Sequence, residues 1–382
     1  MWYRREAPKL AVEEQGKMDE LARHSFAEIM SQHESWQDAI TNARARAGEA
    51  RELLERFADE PLLFVACGSP YFLGRSAVAL AQQWLGRSSS AVPASELLLY
   101  PETVLAPHDR PLMVALSRSG ETSETIGCAR YVQAHGGALL MIGCDAGSTL
   151  ARMAQCMVEI PAGREQSVAQ TRSFAGMFVA LQTLVAHLSQ QPGAQEFQAA
   201  LERLPALGQQ FVARARSEIG RFAAGPEIER IFFLGSGVRY GLACEASLKM
   251  KEMSLTNAEA FHIPEFRHGP ISMADERALV VGLIGDSAPD EELAVLREAH
   301  AFGARTLALV EQAPEESEGL DAVFAFNSGL PAATRDVLYL PPVQLLACER
   351  AVAKGLNPDT SRNITTFVHR PALAERGTKG QA

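Results

Sequence analysis

One programme of short apolar runs and glycine turns occurs twice in this chain, and that repeat limits its fold more than any other feature. Residues 61–69, PLLFVACGS, run apolar into a glycine turn, and residues 230–237, RIFFLGSG, do the same. A helical pattern follows each. The echo continues in order: PLMVALSRS (111–119) with ALVVGLIGD (278–286), ALLMIGCD (138–145) with ARTLALVEQ (304–312), and CMVEIP (156–161) with AVFAFNSG (322–329). In the first copy SAVPASELL (90–98) reads as a further strand or edge. Each copy closes on an apolar helix, at 173–188 and at 338–356. Strands alternating with helices build a parallel, doubly wound sheet flanked by helices. The prediction is α/β, in two tandem units of one kind.

The remaining segments frame those units. Residues 1–57 read as an N-terminal helical arm, with Leu21, Phe26, Ile29, Met30 and Trp36 on one apolar stripe. This arm is expected to pack on a later domain or on a partner subunit. The first α/β domain then covers 58–190, a polar helical linker 191–225, and the second domain 226–370. Residues 371–382 are polar and read as a flexible tail.

Composition excludes several function classes. Of the 382 residues, 47% are hydrophobic and 21% charged, which fits a globular chain of two domains. A net charge of -10 argues against a surface that coats nucleic acid, but leaves room for a local anion site. The six cysteines show no CxxC spacing and lie mostly in apolar runs, so reduced core thiols are expected and no metal site or cofactor is predicted. Met1-Trp2-Tyr3-Arg4-Arg5 leads into charged sequence with no apolar core of a signal peptide, and no apolar run reaches spanning length. A cytoplasmic location without membrane or nucleic-acid partners is the default.

Two segments carry candidate chemistry. From Gly235 to Pro270 a glycine turn opens a helical pattern on which Glu245, Lys249 and Glu252 stand at i, i+4 and i+7, one face of a helix. A solvated row of ion pairs would be the ordinary meaning of such spacing. Here the helix follows the end of a buried-looking strand, where open α/β sheets place ligands, and apolar neighbours leave it little wet surface. Carboxylates beside a lysine in such a place suit proton transfer. The second segment is Ser117-Arg118-Ser119-Gly120-Glu121-Thr122, between a strand and a helix start. Hydroxyls, a glycine and backbone N–H groups at a helix N-terminus suit a phosphate group, and Arg118 adds a charged fork.

With these motifs in view, residues 20–370 resemble the SIS-domain sugar-phosphate isomerases. The resemblance is to the isomerase half of glucosamine-6-phosphate synthase and to stand-alone aminosugar-phosphate deaminase/isomerases. The fold class is then two tandem SIS domains. The family's S-x-SGET phosphate loop corresponds to Ser117, Ser119 and Thr122, and its C-G-(T/S)-S turn to Cys67-Gly68-Ser69, with Pro70 where a second hydroxyl is usual. Its E-x-(T/S)-x-x-(T/K) helix entry resembles Glu165 to Arg172, where the backbone near Val168 and Ala169 lines the sugar. E-x-x-x-K-x-x-E matches Glu245, Lys249 and Glu252, and the (L/F)-(K/R)-H-G-P motif matches Phe266 to Pro270.

The resemblance implies roles. Glu252 would be the base that moves the proton between C1 and C2 through a cis-enediol or enolamine. Glu245 and Lys249 would hold the sugar hydroxyls and tune the base. His268 would assist ring opening in the site of a neighbouring subunit, which implies a homodimer. Gly68, Ser69, Ser117, Arg118, Ser119, Thr122, Val168, Ala169 and Thr366 would bind the phosphorylated sugar. The chain departs from the pattern at two points. It shows no N-terminal cysteine-nucleophile domain, so a route that hydrolyses glutamine is not expected. Thr366 stands where the family usually has a lysine that meets the open sugar, with Arg362 and His369 as nearby basic residues. An aminosugar-6-phosphate deaminase or ketose–aldose isomerase is the leading expectation. A deglycase of a sugar-phosphate amine adduct uses the same chemistry. A non-catalytic sugar-phosphate sensor is the reading from another class; residues 1–60 lack a convincing DNA-binding helix-turn-helix for it.

Overall fold

A computed structural model describes residue 18, residues 20–223 and residues 227–370. The predicted tail at 371–382, most of the arm before Arg23 and the end of the linker at 224–225 lie outside the described residues. The chain divides into two compact units, each built on a five-stranded parallel sheet. One unit comprises residues 32–164, 172–205 and the segment from Thr365; the other takes the residues up to Ser31, Glu165–Thr171 and Ala206–Ile364. The stretch read as one arm is therefore shared. Helix α1 (Arg23–Met30) groups with the second sheet and α2 (Gln32–Arg56) with the first.

In the first unit, β1 (Leu62–Ala66) leads through α3 (Ser69–Leu85) to β2 (Ser89–Pro93) and α4 (Ala94–Leu99). Then come β3 (Leu112–Ser117), α5 (Ser123–Ala134), β4 (Ala138–Gly143), α6 (Thr149–Met153), β5 (Cys156–Glu159) and α7 (Arg172–Leu188). Strand order is β2-β1-β3-β4-β5, all parallel. The segment read as a strand over 90–98 is strand only at its start. Pro93 pairs last with Ala66 and has no N–H to extend the ladder, so the chain turns there into α4. Strands β3 and β4 are buried at every position, which explains their unbroken apolar runs. Helix α7 is buried along nearly its whole length and packs on α2, which contributes Trp36, Ala39 and Ile40.

Helix α8 (Ala194–Ala223) covers the predicted linker, and the division between units falls just after Pro205 within it. The second unit repeats the plan. It contains β6 (Arg230–Gly235), α9 (Val238–Ser254), β7 (Asn257–Phe261), β8 (Ala278–Leu283), α10 (Pro289–Ala301), β9 (Arg305–Val310) and β10 (Ala322–Ala325). The short α11 (Ala332–Arg335) and then α12 (Leu340–Ala353) close it. The order β10-β9-β8-β6-β7 is that of the first sheet, read from the other edge. Strand β7 was not anticipated. Its sequence NAEAF has little strand propensity, and in-register pairing with β6 defines it.

The glycine turns after β1 and β6 have nearly the same backbone: Gly68 has φ 63° and ψ −133°, Gly237 φ 58° and ψ −129°. A residue with a Cβ rarely adopts that conformation, so the glycine in each copy is a requirement of the turn. Each turn sits at the point where the strand order reverses, which is where open α/β sheets receive ligands.

Candidate active site

In the first unit, β1 and β3 run side by side in register, with Val65 opposite Ala115. The turn Cys67–Ser69 and the loop Ser117–Thr122 therefore leave the sheet as neighbours at its carboxyl edge. Ser69 opens α3 and is buried, and Pro70 occupies the first turn of that helix, where no N–H is needed. Burial pushes the Cys67 thiol up to about 11, which favours its protonated form.

The loop after β3 is stiffened from within. Ser117 Oγ accepts the Gly120 N–H at 3.0 Å, and Ser119 Oγ accepts the Glu121 N–H at 3.2 Å. The Glu121 carboxylate reaches out to accept the Thr149 N–H at 2.7 Å and its hydroxyl at 2.9 Å. Gly120 has φ 65°, and a Cβ there would lie 2.1 Å from Ser148 Oγ, so this position too must be glycine. Thr122 is the N-cap of α5, yet its own hydroxyl makes no capping bond. Arg118 is buried, and its Nη2 donates to the Thr366 carbonyl at 3.2 Å. The C-terminal segment continues across the start of α5, where the Ser123 N–H donates to the Val368 carbonyl at 3.2 Å and the Arg370 N–H to Ser123 Oγ at 2.7 Å. Gly68, Ser69, Ser117, Arg118, Ser119, Thr122 and Thr366 thus all belong to one unit, and Thr366 meets the loop through its backbone.

The other candidates belong to the second unit. Along α9, Lys249 Nζ lies 3.4 Å from Glu245 Oε1 and in closer contact with Glu252 Oε2. Side chains of Lys249 and Glu245 are 1% exposed, that of Glu252 15%. The row is buried, not a solvated face, and Glu252 is the member that reaches solvent. Burial alone would push the Lys249 ammonium down, but Glu245 and Glu252 more than offset it and hold it above the usual lysine value. Lys249 is therefore a fixed cation between two carboxylates.

His268 follows the one-turn helix Pro264–Arg267 and is exposed, its N–H donating to the Glu265 carbonyl at 3.0 Å. Neighbouring residues anchor it: Phe266 is fully buried against Phe232, and Arg267 pairs with Glu298 through two bonds of 2.8 and 2.6 Å. Val168 and Ala169 also lie in this unit, where the Val168 N–H donates to the Asp359 carbonyl at 3.0 Å.

Two groups were not singled out from the sequence. Glu28 on α1 accepts hydrogen bonds from Gln166 and Ser167, and burial together with Glu165 raises its carboxyl above the usual range. At the carboxyl edge of β8, the place matching the phosphate loop, Glu292 accepts the Gly285 N–H at 2.7 Å. The Arg239 guanidinium packs against Gly285 and donates to Asp336 at 3.2 Å. The second copy therefore fills that place with its own ion pairs.

Comparison with known proteins bears on both halves. The SIS domain model matches residues 59–187 and 227–321. The glutamine–fructose-6-phosphate aminotransferase (isomerizing) of Symbiobacterium thermophilum is 33% identical over 319 residues, covering 80% of this chain and 51% of that protein. The chain spans about half the length of the curated relatives it matches. Among solved structures, the C-terminal domain of glucosamine-fructose-6-phosphate aminotransferase from Francisella tularensis superposes with a TM-score of 0.79 at 26% identity, over 88% of this chain and 98% of that one. Glucosamine-6-phosphate deaminase from Thermotoga maritima shares the fold, with a TM-score of 0.66 at 24% identity over 87% and 99%. Matched across both sheets, the chain belongs to the SIS domain family.

Proposed function

We propose that this chain is a sugar-phosphate isomerase acting on an aminosugar 6-phosphate, by moving the C2 proton through a cis-enediol or enolamine. The observation that carries the reading is the Glu245–Lys249–Glu252 row, buried except at Glu252. A base must be ionised and reachable. Lys249 pairs with Glu252, and the exposure of Glu252 lets it meet a substrate. Glu245 balances the second side of the ammonium and keeps it in place.

The phosphate is read onto the loop Ser117–Thr122. The Thr122 hydroxyl, not spent on its own helix, the N-terminus of α5 and the Arg118 guanidinium form the donor set, with Ser69, Ser117 and Ser119 beside them. Val168 and Ala169 line the sugar, and Thr366 supplies a backbone where a lysine is usual in the family. His268 assists ring opening in the site of a second copy, which makes the working form a homodimer. A cytoplasmic location belongs to the same reading.

Incubation with glucosamine 6-phosphate in deuterated water, following C2 exchange and ammonia together, tests it. Exchange with ammonia identifies a deaminase, and exchange alone an isomerase. Neither signal across a panel of hexose, hexosamine and fructosamine phosphates, with binding retained, would mark a sensor and sink the enzyme reading.

A further inference from the structure

The segment Glu165–Thr171 carries no regular secondary structure, yet its middle is held by one acidic side chain, Glu28, and one backbone carbonyl, that of Asp359, both remote in sequence. Glu28 Oε1 accepts the N–H of Gln166 at 2.5 Å and of Ser167 at 3.3 Å, while Oε2 takes the Ser167 hydroxyl in a short contact. Ser167 Oγ also lies 3.0 Å from the Ala169 carbonyl. Next along the segment, the Val168 N–H donates to the carbonyl of Asp359, whose carboxylate accepts the N–H groups of His24 and Ser25 at 2.9 and 2.7 Å. Those two residues begin the helix that carries Glu28. The bonds close a circuit: helix α1 to the segment through Glu28, the segment to Asp359, and Asp359 back to α1.

Burying a carboxylate is unfavourable, and Glu28 is 5% exposed with Glu165 nearby. A segment that only needed covering could be covered by an apolar side chain. A carboxylate that gathers successive donors instead fixes backbone direction, because each bond constrains a different peptide plane.

We propose that Glu28 is a positioning residue for sugar recognition: its carboxylate sets the backbone of Ser167–Ala169, against which the sugar moiety of the substrate rests. The assignment builds on the isomerase reading above, and it adds a residue on a helix that carries none of the candidate chemistry. Glu28 does not touch the reacting atoms. It acts through the segment and on binding of the sugar, not on proton transfer.

The test compares Glu28→Ala with Glu28→Gln. Loss of the acceptor in Glu28→Ala is expected to raise KM for the hexose phosphate about tenfold, the size of one hydrogen bond to a charged group. kcat should stay within about twofold, since the base is untouched. Inhibition by inorganic phosphate should not change, because the phosphate loop does not involve Glu28. Glu28→Gln keeps an oxygen toward the two amides and leaves the Ser167 hydroxyl free to donate to Ala169, so it should restore the wild-type KM. If Glu28→Ala does not fold, Ser167→Ala removes only the hydroxyl link and should move KM in the same direction. An unchanged KM in the folded variant, alongside loss of turnover in Glu252→Gln, overturns the positioning role and leaves the isomerase reading standing. If the wild-type protein turns over no sugar phosphate, that reading fails and amide hydrogen exchange decides the positioning role. Gln166 and Ser167 amides should then exchange at least about tenfold faster in Glu28→Ala, and wild-type rates would overturn it.

Discussion

Lys249 is the residue on which the buried charged row of α9 depends most. A fully buried ammonium is tolerated only because two carboxylates stand within one helical turn on either side. Its folded-state pKa is raised, so the stabilisation from pairing is fully present at neutral pH and is lost only as pH rises through that raised value. Lys249→Met keeps the length and removes the charge, leaving Glu245 buried without its cation. The expected cost is about 3–5 kcal/mol in chemical denaturation, as for other broken buried pairs. Unchanged stability would show that the carboxylates have other support. At this scale the sequence was legible where spacing carries the information: i, i+4 and i+7 placed three side chains on one face. What spacing does not contain is burial, and that separates Glu252 from its neighbours. Glu28 was not legible at all, because its partners lie 138 and 139 positions away and no local pattern links them.

Among the elements, the strand–glycine–helix units repeat faithfully while their contents diverge. The loop after β3 presents hydroxyls and a helix N-terminus, and its acidic residue Glu121 is turned to Thr149. The matching place after β8 is occupied by Glu292 and Arg239. On the proposed reading, one copy receives an external anion where the other holds its own charged groups. Gly120 is the point at which this loop is most sensitive. Gly120→Ala would combine a positive φ with a Cβ driven into Ser148, and should weaken inhibition by inorganic phosphate at least about tenfold while costing about 1–3 kcal/mol of stability. An unaltered inhibition constant would mean that phosphate binds elsewhere. Fully buried strands were readable as apolar runs, since a parallel sheet covered on both faces requires them. β7 and the turn at Pro93 were not, because pairing with β6 and a missing N–H override composition there.

For the whole molecule, order of elements predicted two α/β units, but not that the chain would exchange segments between them. Helix α1 and residues 165–171 join the second sheet, and the segment from Thr365 joins the first. Such exchanges depend on long-range contacts that leave no period in the sequence. Assembly is tested by mixing inactive copies. Equal amounts of Glu252→Gln and His268→Ala subunits, exchanged at random, should recover about a quarter of wild-type activity if His268 serves the neighbouring site of a symmetric dimer. No recovery would confine His268 to its own subunit. The most direct measurement remains hydrogen–deuterium exchange at C2 of the sugar phosphate, wild type beside Glu252→Gln. Exchange in the wild type, abolished in a folded Glu252→Gln that still binds inorganic phosphate, is the predicted result. Exchange that survives in Glu252→Gln would contradict Glu252 as the base that moves the proton.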